Sequence, residues 1–161
     1  MRRSQSWFLD DSLRAAWYTL AIALLGMCAS KPFNRTDRGY EAPYFVIVNT
    51  GNTLRELTRE QVASYFLKRR TTWPNGTLVL PVDLPPDSRI RTTFSHAVLR
   101  RAPEDISAYW IQEIFAGRSE PPEIRNTDAA VITYVSSTPG AIGYVSAMTA
   151  SSTVRVLTIS P

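Results

Sequence analysis

Apolar residues along this chain gather into two kinds of segment. Short continuous runs, Tyr44 to Val48, Leu78 to Val82, Ala141 to Val145 and Val154 to Ile159, have the length and β-branched content of buried strands. Between them the apolar positions recur at helical spacing. Val62, Tyr65 and Phe66 share one face, as do Ile90, Phe94, Ala97 and Val98. Ile106, Tyr109, Trp110 and Ile114 form a third stripe, and Val131, Ile132 and Val135 a fourth. Lys31 to Ala42 has no period and reads as a linker.

Local signals bound these segments. Thr58 is the expected N-cap of the first helix, with Gln61 completing a capping box and Leu57 and Val62 placed as a hydrophobic staple. Lys68-Arg69-Arg70 ends that helix with charges that suit its negative pole. Trp73-Pro74-Asn75-Gly76 makes a turn into the Leu78 strand, and Asp87 or Ser88 caps the helix that follows. Pro103 opens the next helix, with Glu104 and Asp105 in its first turn and Gly117 as its stop. Thr127 caps a helix to Ser137, and Thr138-Pro139-Gly140 breaks it. Strands alternating with helices predict an α/β domain with a partly parallel sheet. Val46, Val48, Val79, Ile142 and Val145 are expected to meet on that sheet, with Trp110 buried against it.

Composition changes this picture little. At 161 residues a single domain is expected, and 44% hydrophobic residues exclude disorder. Residues 1–30 hold Arg2, Arg3, Arg14, Asp10 and Asp11, a net of +1, which leaves +3 of the formal +4 for the rest. Such a mild excess demands neither nucleic acid nor an anionic membrane, and no nucleic-acid partner is expected. The first thirty residues read as an export signal, with a basic start, a short apolar run from Ala15 to Leu25 and small residues at Cys28-Ala29-Ser30. An uncleaved anchor is the alternative. The expected division is therefore 1–30 export segment, 31–43 linker and 44–161 folded domain, in the periplasm, secreted, or held at the membrane.

Cys28 is the single cysteine and His96 the single histidine. Ser95 stands beside His96, but adjacent residues on a helix do not face each other. There is no metal-ligand cluster, no phosphate-cradling loop and no dinucleotide glycine pattern, so neither an enzyme nor a cofactor or metal is expected. One place offers binding chemistry. A helix beginning at Ser88 points free N–H groups at its approach, and Ser88, Arg89 and Arg91 add donors for an oxyanion. A plain helix cap explains Ser88 equally well.

Five segments, in order, resemble the substrate-binding proteins of phosphate ABC importers. Phe45-Val46-Ile47-Val48-Asn49 is similar to an opening strand of that family. Leu57-Thr58 through Tyr65-Phe66-Leu67-Lys68, then Trp73-Pro74-Asn75-Gly76, is similar to its helix and turn. Pro81-Val82-Asp83 with Ser88, Arg91 and Phe94 resembles its ligand loop and helix, and Tyr109-Trp110 with Ile114-Phe115-Ala116-Gly117 its tryptophan helix. Thr138-Pro139-Gly140-Ala141-Ile142-Gly143-Tyr144 is similar to its closing motif. The ligand turn departs from the family: it reads Asp87-Ser88-Arg89-Ile90 where full binders carry glycine-serine-glycine-threonine, and Leu84 stands about where they carry an arginine.

The resemblance implies an α/β fold of one lobe of a type 2 periplasmic binding protein, with a central, mostly parallel sheet flanked by helices. It implies an exported solute-binding-like module that takes phosphate or a similar oxyanion weakly. Ser88 and Arg91 would hold the anion, with Thr50 and Asn52 helping from the loop after the first strand. The alternative is a non-catalytic module that contacts a membrane transporter, envelope receptor or sensor protein without any small ligand.

Overall fold

The computed structural model describes residues 44–146 and 152–161, so the expected export segment and linker lie outside the described residues. Six strands form one sheet: β1 (Tyr44–Asn49), β2 (Glu56–Thr58), β3 (Leu80–Asp83), β4 (Glu123–Ile124), β5 (Ala141–Ser146) and β6 (Val154–Ser160). Their order across the sheet is β2-β6-β1-β5-β3-β4. β2 runs parallel to β6, and β3 parallel to both β4 and β5. β1 is antiparallel to both its neighbours, β5 and β6. Among the described residues the sheet is thus mostly parallel, with β1 running against the rest.

Four helical segments flank it: α1 (Arg59–Phe66), α2 (Arg89–Phe94), α3 (Pro103–Phe115) and α4 (Asp128–Ser137). A π-helical turn, Ser95–Leu99, continues α2 without a break. The capping box at α1 is complete. The Gln61 amide donates to Thr58 Oγ1 at 3.2 Å, and the Thr58 amide donates to Gln61 Oε1 at 2.8 Å. Leu57 and Val62, the staple pair, are both buried. Thr127 caps α4 by accepting from the Ala130 amide at 3.1 Å.

The two faces of the sheet are covered by different helices, as strand alternation requires. Val131 and Val135 of α4 pack over Gly143 on one face, so closely that a methyl group there would sit 2.7 Å from Val131. On the other face the Tyr144 ring stacks on Phe94 of α2 at 3.9 Å between centroids, and Phe66 of α1 lies 5.6 Å from Tyr144. The anticipated sheet residues Val46, Val48, Val79, Ile142 and Val145 all lie in this main core. Trp110 is buried too, but not against the sheet. It joins Leu67 and Ile106 in a second, smaller cluster beyond the end of α1. The reason is the π-helical turn and the left-handed Arg100 (φ 53°), after which α3 sets out against the end of α1.

Candidate functional site

In open α/β sheets ligands collect outside the carboxyl ends of the strands. Here that edge is built by β3, which ends at Asp83, and by the loop Leu84 to Asp87 leading to α2. Ser88 caps α2, its Oγ accepting from the Arg91 amide at a long 3.4 Å. Its own amide is taken by the Pro85 carbonyl at 3.0 Å, which closes the proline loop into a turn. α2 is short, and its first turn carries no acidic residue.

Arg91 does not reach outward. It turns inward, 6% exposed, and its Nη2 lies 3.2 Å from Asp83 Oδ2. The other Asp83 oxygen accepts from the Tyr144 hydroxyl and from the Leu84 amide, the latter at 2.8 Å. Asp83, Arg91 and Tyr144 thus form a buried polar cluster behind the loop, with the Phe94 ring stacked on Tyr144. Burial dominates its protonation chemistry. It raises Asp83 above the ordinary carboxylate value, and the opposing pulls of Arg91, Tyr144 and the Leu84 amide do not reverse this. Tyr144 is pushed well up, by burial first and by the neighbouring Asp83 second. Arg91 Nε is buried with no hydrogen-bond partner. A buried donor left unmet in this way is uncommon.

Thr50 and Asn52 require a correction. They do not stand near Ser88. Val48 pairs with Ile142, so β1 ends where β5 begins, whereas Ser88 follows the end of β3, which runs parallel to β5. The antiparallel direction of β1 therefore carries Thr50 and Asn52 to the other end of the strands. There Arg155 of β6 holds them, its Nε donating to the Asn52 carbonyl at 2.8 Å and its Nη2 to the Thr50 carbonyl at 3.2 Å. Asn52 also borders a small cavity of about 100 Å³ with Trp73, Asn75 and Pro139. Of the four candidate ligand residues, Ser88 and Arg91 share the start of α2, with the Arg91 guanidinium turned in to Asp83, while Thr50 and Asn52 lie together at the other end of the strands.

Sequence reasoning passed over Asp83 and Tyr144 as members of the cluster. A carboxylate closing an otherwise apolar strand was the available signal for Asp83, since a buried charge needs partners. His96 is exposed in the π-helical turn while Ser95 is buried, so the two do not form a catalytic pair. Among the described residues no group of His, Cys, Asp and Glu is placed to hold a metal ion. Among the same residues no helix is long and apolar enough to cross a membrane.

No protein-family model matches the chain, and no curated protein sequence is similar to it. Solved structures are similar. An ABC-type phosphate transport receptor from Vibrio cholerae superposes with a TM-score of 0.58 at 18% identity, over 72% of this chain and 45% of the receptor. A phosphate ABC transporter substrate-binding protein from Clostridium perfringens, solved with bound phosphate, gives 0.58 at 19% identity, over 74% of this chain and 46% of that one. PstS from Borrelia burgdorferi gives 0.56 at 15% identity, over 72% and 46%. The chain therefore spans less than half the length of each of these neighbours. It carries the α/β fold of phosphate-transport substrate-binding proteins, over an extent that matches one lobe of them.

Proposed function

We propose that the chain is an exported, non-catalytic solute-binding-like module that takes phosphate or a similar oxyanion weakly where β3 passes into α2. The observation that carries this reading is Arg91, a buried cation behind the loop whose Nε has no partner. Ser88 supports it, because a cap bond of 3.4 Å leaves the hydroxyl free to turn to an anion. In this reading residues 1–30 are the export signal or an anchor, 31–43 the linker, and the periplasm the working compartment. A single lobe encloses an anion on one side only, so water competes and affinity lies between roughly micromolar and millimolar. Calorimetric titration of the full chain with phosphate and with sulfate tests it. Saturable heat is expected, and neither heat nor a thermal shift at about 50 mM of either anion overturns it.

A second reading rests on α3. Ile111, Ile114 and Phe115 stand exposed along it, Phe115 at 88%. Apolar side chains left in water on one helix favour an interaction module that contacts a transporter or sensor protein. Co-purification of the full chain with envelope proteins, lost on Phe115→Ser with Ile111→Ser, is its test.

A further inference from the structure

We propose that the groove between α1 and the π-helical turn is a docking site for an acidic polypeptide segment, independent of the oxyanion reading above. The groove holds about 370 Å³. Leu67 and Val98 lie in its apolar floor, and Arg69, Arg100 and Arg101 stand at its rim. Glu60 is the one carboxylate in this lining, and it meets Arg100 only at 3.9 Å, with the two side chains 66% and 67% exposed. Within this lining three guanidinium groups therefore face one loosely paired carboxylate, with Asp105 beside Arg101 in the adjoining groove and Glu113 near enough to Arg69 to feel its charge.

A basic helix end is ordinarily explained by the helix dipole. That explains the sign at each terminus but not the convergence of two of them. Here the chain leaves α1 through a left-handed Lys68 (φ 50°) and leaves the π-helical turn through a left-handed Arg100 (φ 53°). Tyr109 then serves as a brace between the two. Its hydroxyl donates to the Leu67 carbonyl at 2.9 Å, and the Arg69 and Arg101 guanidinium carbons lie 6.0 and 5.6 Å from its ring centroid. The ring's negative face offsets part of the repulsion between the two arginines and holds them in place before a partner arrives.

The shape and chemistry favour a polypeptide. Arg101 also lines an adjoining groove of about 290 Å³ with Asp105 and Gln112, so a bound segment can continue past the rim. Arginine takes carboxylates in charge-assisted, often bidentate hydrogen bonds, and the apolar floor takes a small aliphatic side chain between them. Single-stranded nucleic acid needs open aromatic faces for its bases. Tyr109 is occupied by its arginines, and Tyr65 packs on Trp73 at 4.7 Å. An anionic membrane surface takes projecting apolar groups beside its cations. In this groove the apolar groups, Leu67 and Val98, are recessed, and the exposed Ile111, Ile114 and Phe115 lie outside its lining on α3.

The test is fluorescence anisotropy of the full chain with a labelled Glu-Leu-Glu-Glu-Leu-Glu peptide at low salt. Binding that weakens with added salt is expected. The pair Arg69→Glu with Arg101→Glu is expected to weaken it at least about tenfold, and Arg100→Ala alone several-fold. Arg55→Glu, the same charge change at an exposed arginine that lines neither groove, should stay within about twofold. Far-ultraviolet circular dichroism and melting separate lost binding from lost fold, and Arg100, being exposed, gives a readout that does not depend on folding. Absence of peptide binding overturns the proposal, as does equal loss in Arg55→Glu. Tighter binding to oligothymidine or to phosphatidylglycerol vesicles than to the peptide overturns it in favour of those partners.

Discussion

The guanidinium of Arg91 lies 3.2 Å from the carboxylate of Asp83, and both side chains are almost entirely shielded from water. The ion pair joins β3 to α2 at the edge where a ligand would sit. Removing one partner leaves a buried charge without its counter-charge. Arg91→Met is therefore expected to destabilise the domain by about 3–5 kcal/mol, read from urea unfolding. A loss below about 1 kcal/mol would show that water reaches Asp83 and that the pair is not buried in solution.

The same pair has a pH signature. Burial raises the folded-state pKa of Asp83 above its ordinary value of 3.8, so between those two values the folded protein binds more protons than the unfolded chain. Stability contributed by this group is present in full below about 3.8 and is lost as pH rises through the folded-state value. Asp83→Asn cannot titrate. The stability of the wild type relative to Asp83→Asn should fall as pH rises across that window, measured as urea midpoints at matched pH. A difference that grows with pH would mean that Arg91 outweighs burial.

Much of the fold was legible because its determinants are local. Thr58 and Gln61 are three residues apart, and their reciprocal bonds follow from spacing alone. The same holds for Ser88, Pro103 and Thr127 as helix starts. β4, only Glu123–Ile124, left no trace, because two exposed residues make no alternation. The direction of β1 was also hidden. An apolar run such as Phe45 to Val48 reads identically in either direction, and only pairing with β5 and β6, far off in sequence, decides. That gap misplaced Thr50 and Asn52. The placement of Arg91 failed differently. Helical spacing puts it one turn past Ser88, yet its inward orientation depends on Asp83 and Tyr144, which arrive from two other elements.

Trp110 lies 6% exposed in the small cluster with Leu67 and Ile106. Truncating a large aromatic in a packed site costs about 3–5 kcal/mol. Trp110→Ala should cost close to the lower figure, because this cluster is small and α3 can settle toward α1. Hydrogen exchange should show the loss concentrated in α3, with the strands of the main core still protected. Uniform loss of protection would mean that the two clusters unfold as one unit.

Gly140 occupies a position no other residue fits. Its φ is +83°, and a Cβ there would lie 2.2 Å from the Leu78 carbonyl oxygen. Its carbonyl accepts from the Leu80 amide at 3.1 Å and from Trp73 Nε1 at 2.9 Å, so it ties the turn before β3 to the start of β5. Gly140→Ala adds backbone strain and a clash that only a backbone shift relieves. A loss of more than about 1 kcal/mol is expected, with a change in Trp73 fluorescence as its indole bond is disturbed. Gly76 has nearly the same φ, +84°, but open space around it. Gly76→Ala should be the milder of the two, and the reverse ranking would place the strain in the wrong turn.

The ligand reading separates two residues that sequence had grouped. Ser88 caps α2 beyond the carboxyl end of β3, and Asn52 lies at the other end of the strands, held through its carbonyl by Arg155. If an oxyanion binds where β3 meets α2, Ser88→Ala removes a hydrogen bond to a charged group. That should weaken phosphate binding by about 1.5–3 kcal/mol, roughly tenfold or more. Asn52→Ala should leave it within about twofold. Arg91 is unsuited to this comparison, because its loss also disturbs the fold. Calorimetry of the two variants beside the wild type, each first checked by thermal melting, decides between the two ends. Loss in Asn52→Ala with Ser88→Ala unaffected would move the site to the small cavity beside Trp73 and leave Ser88 as a helix cap alone.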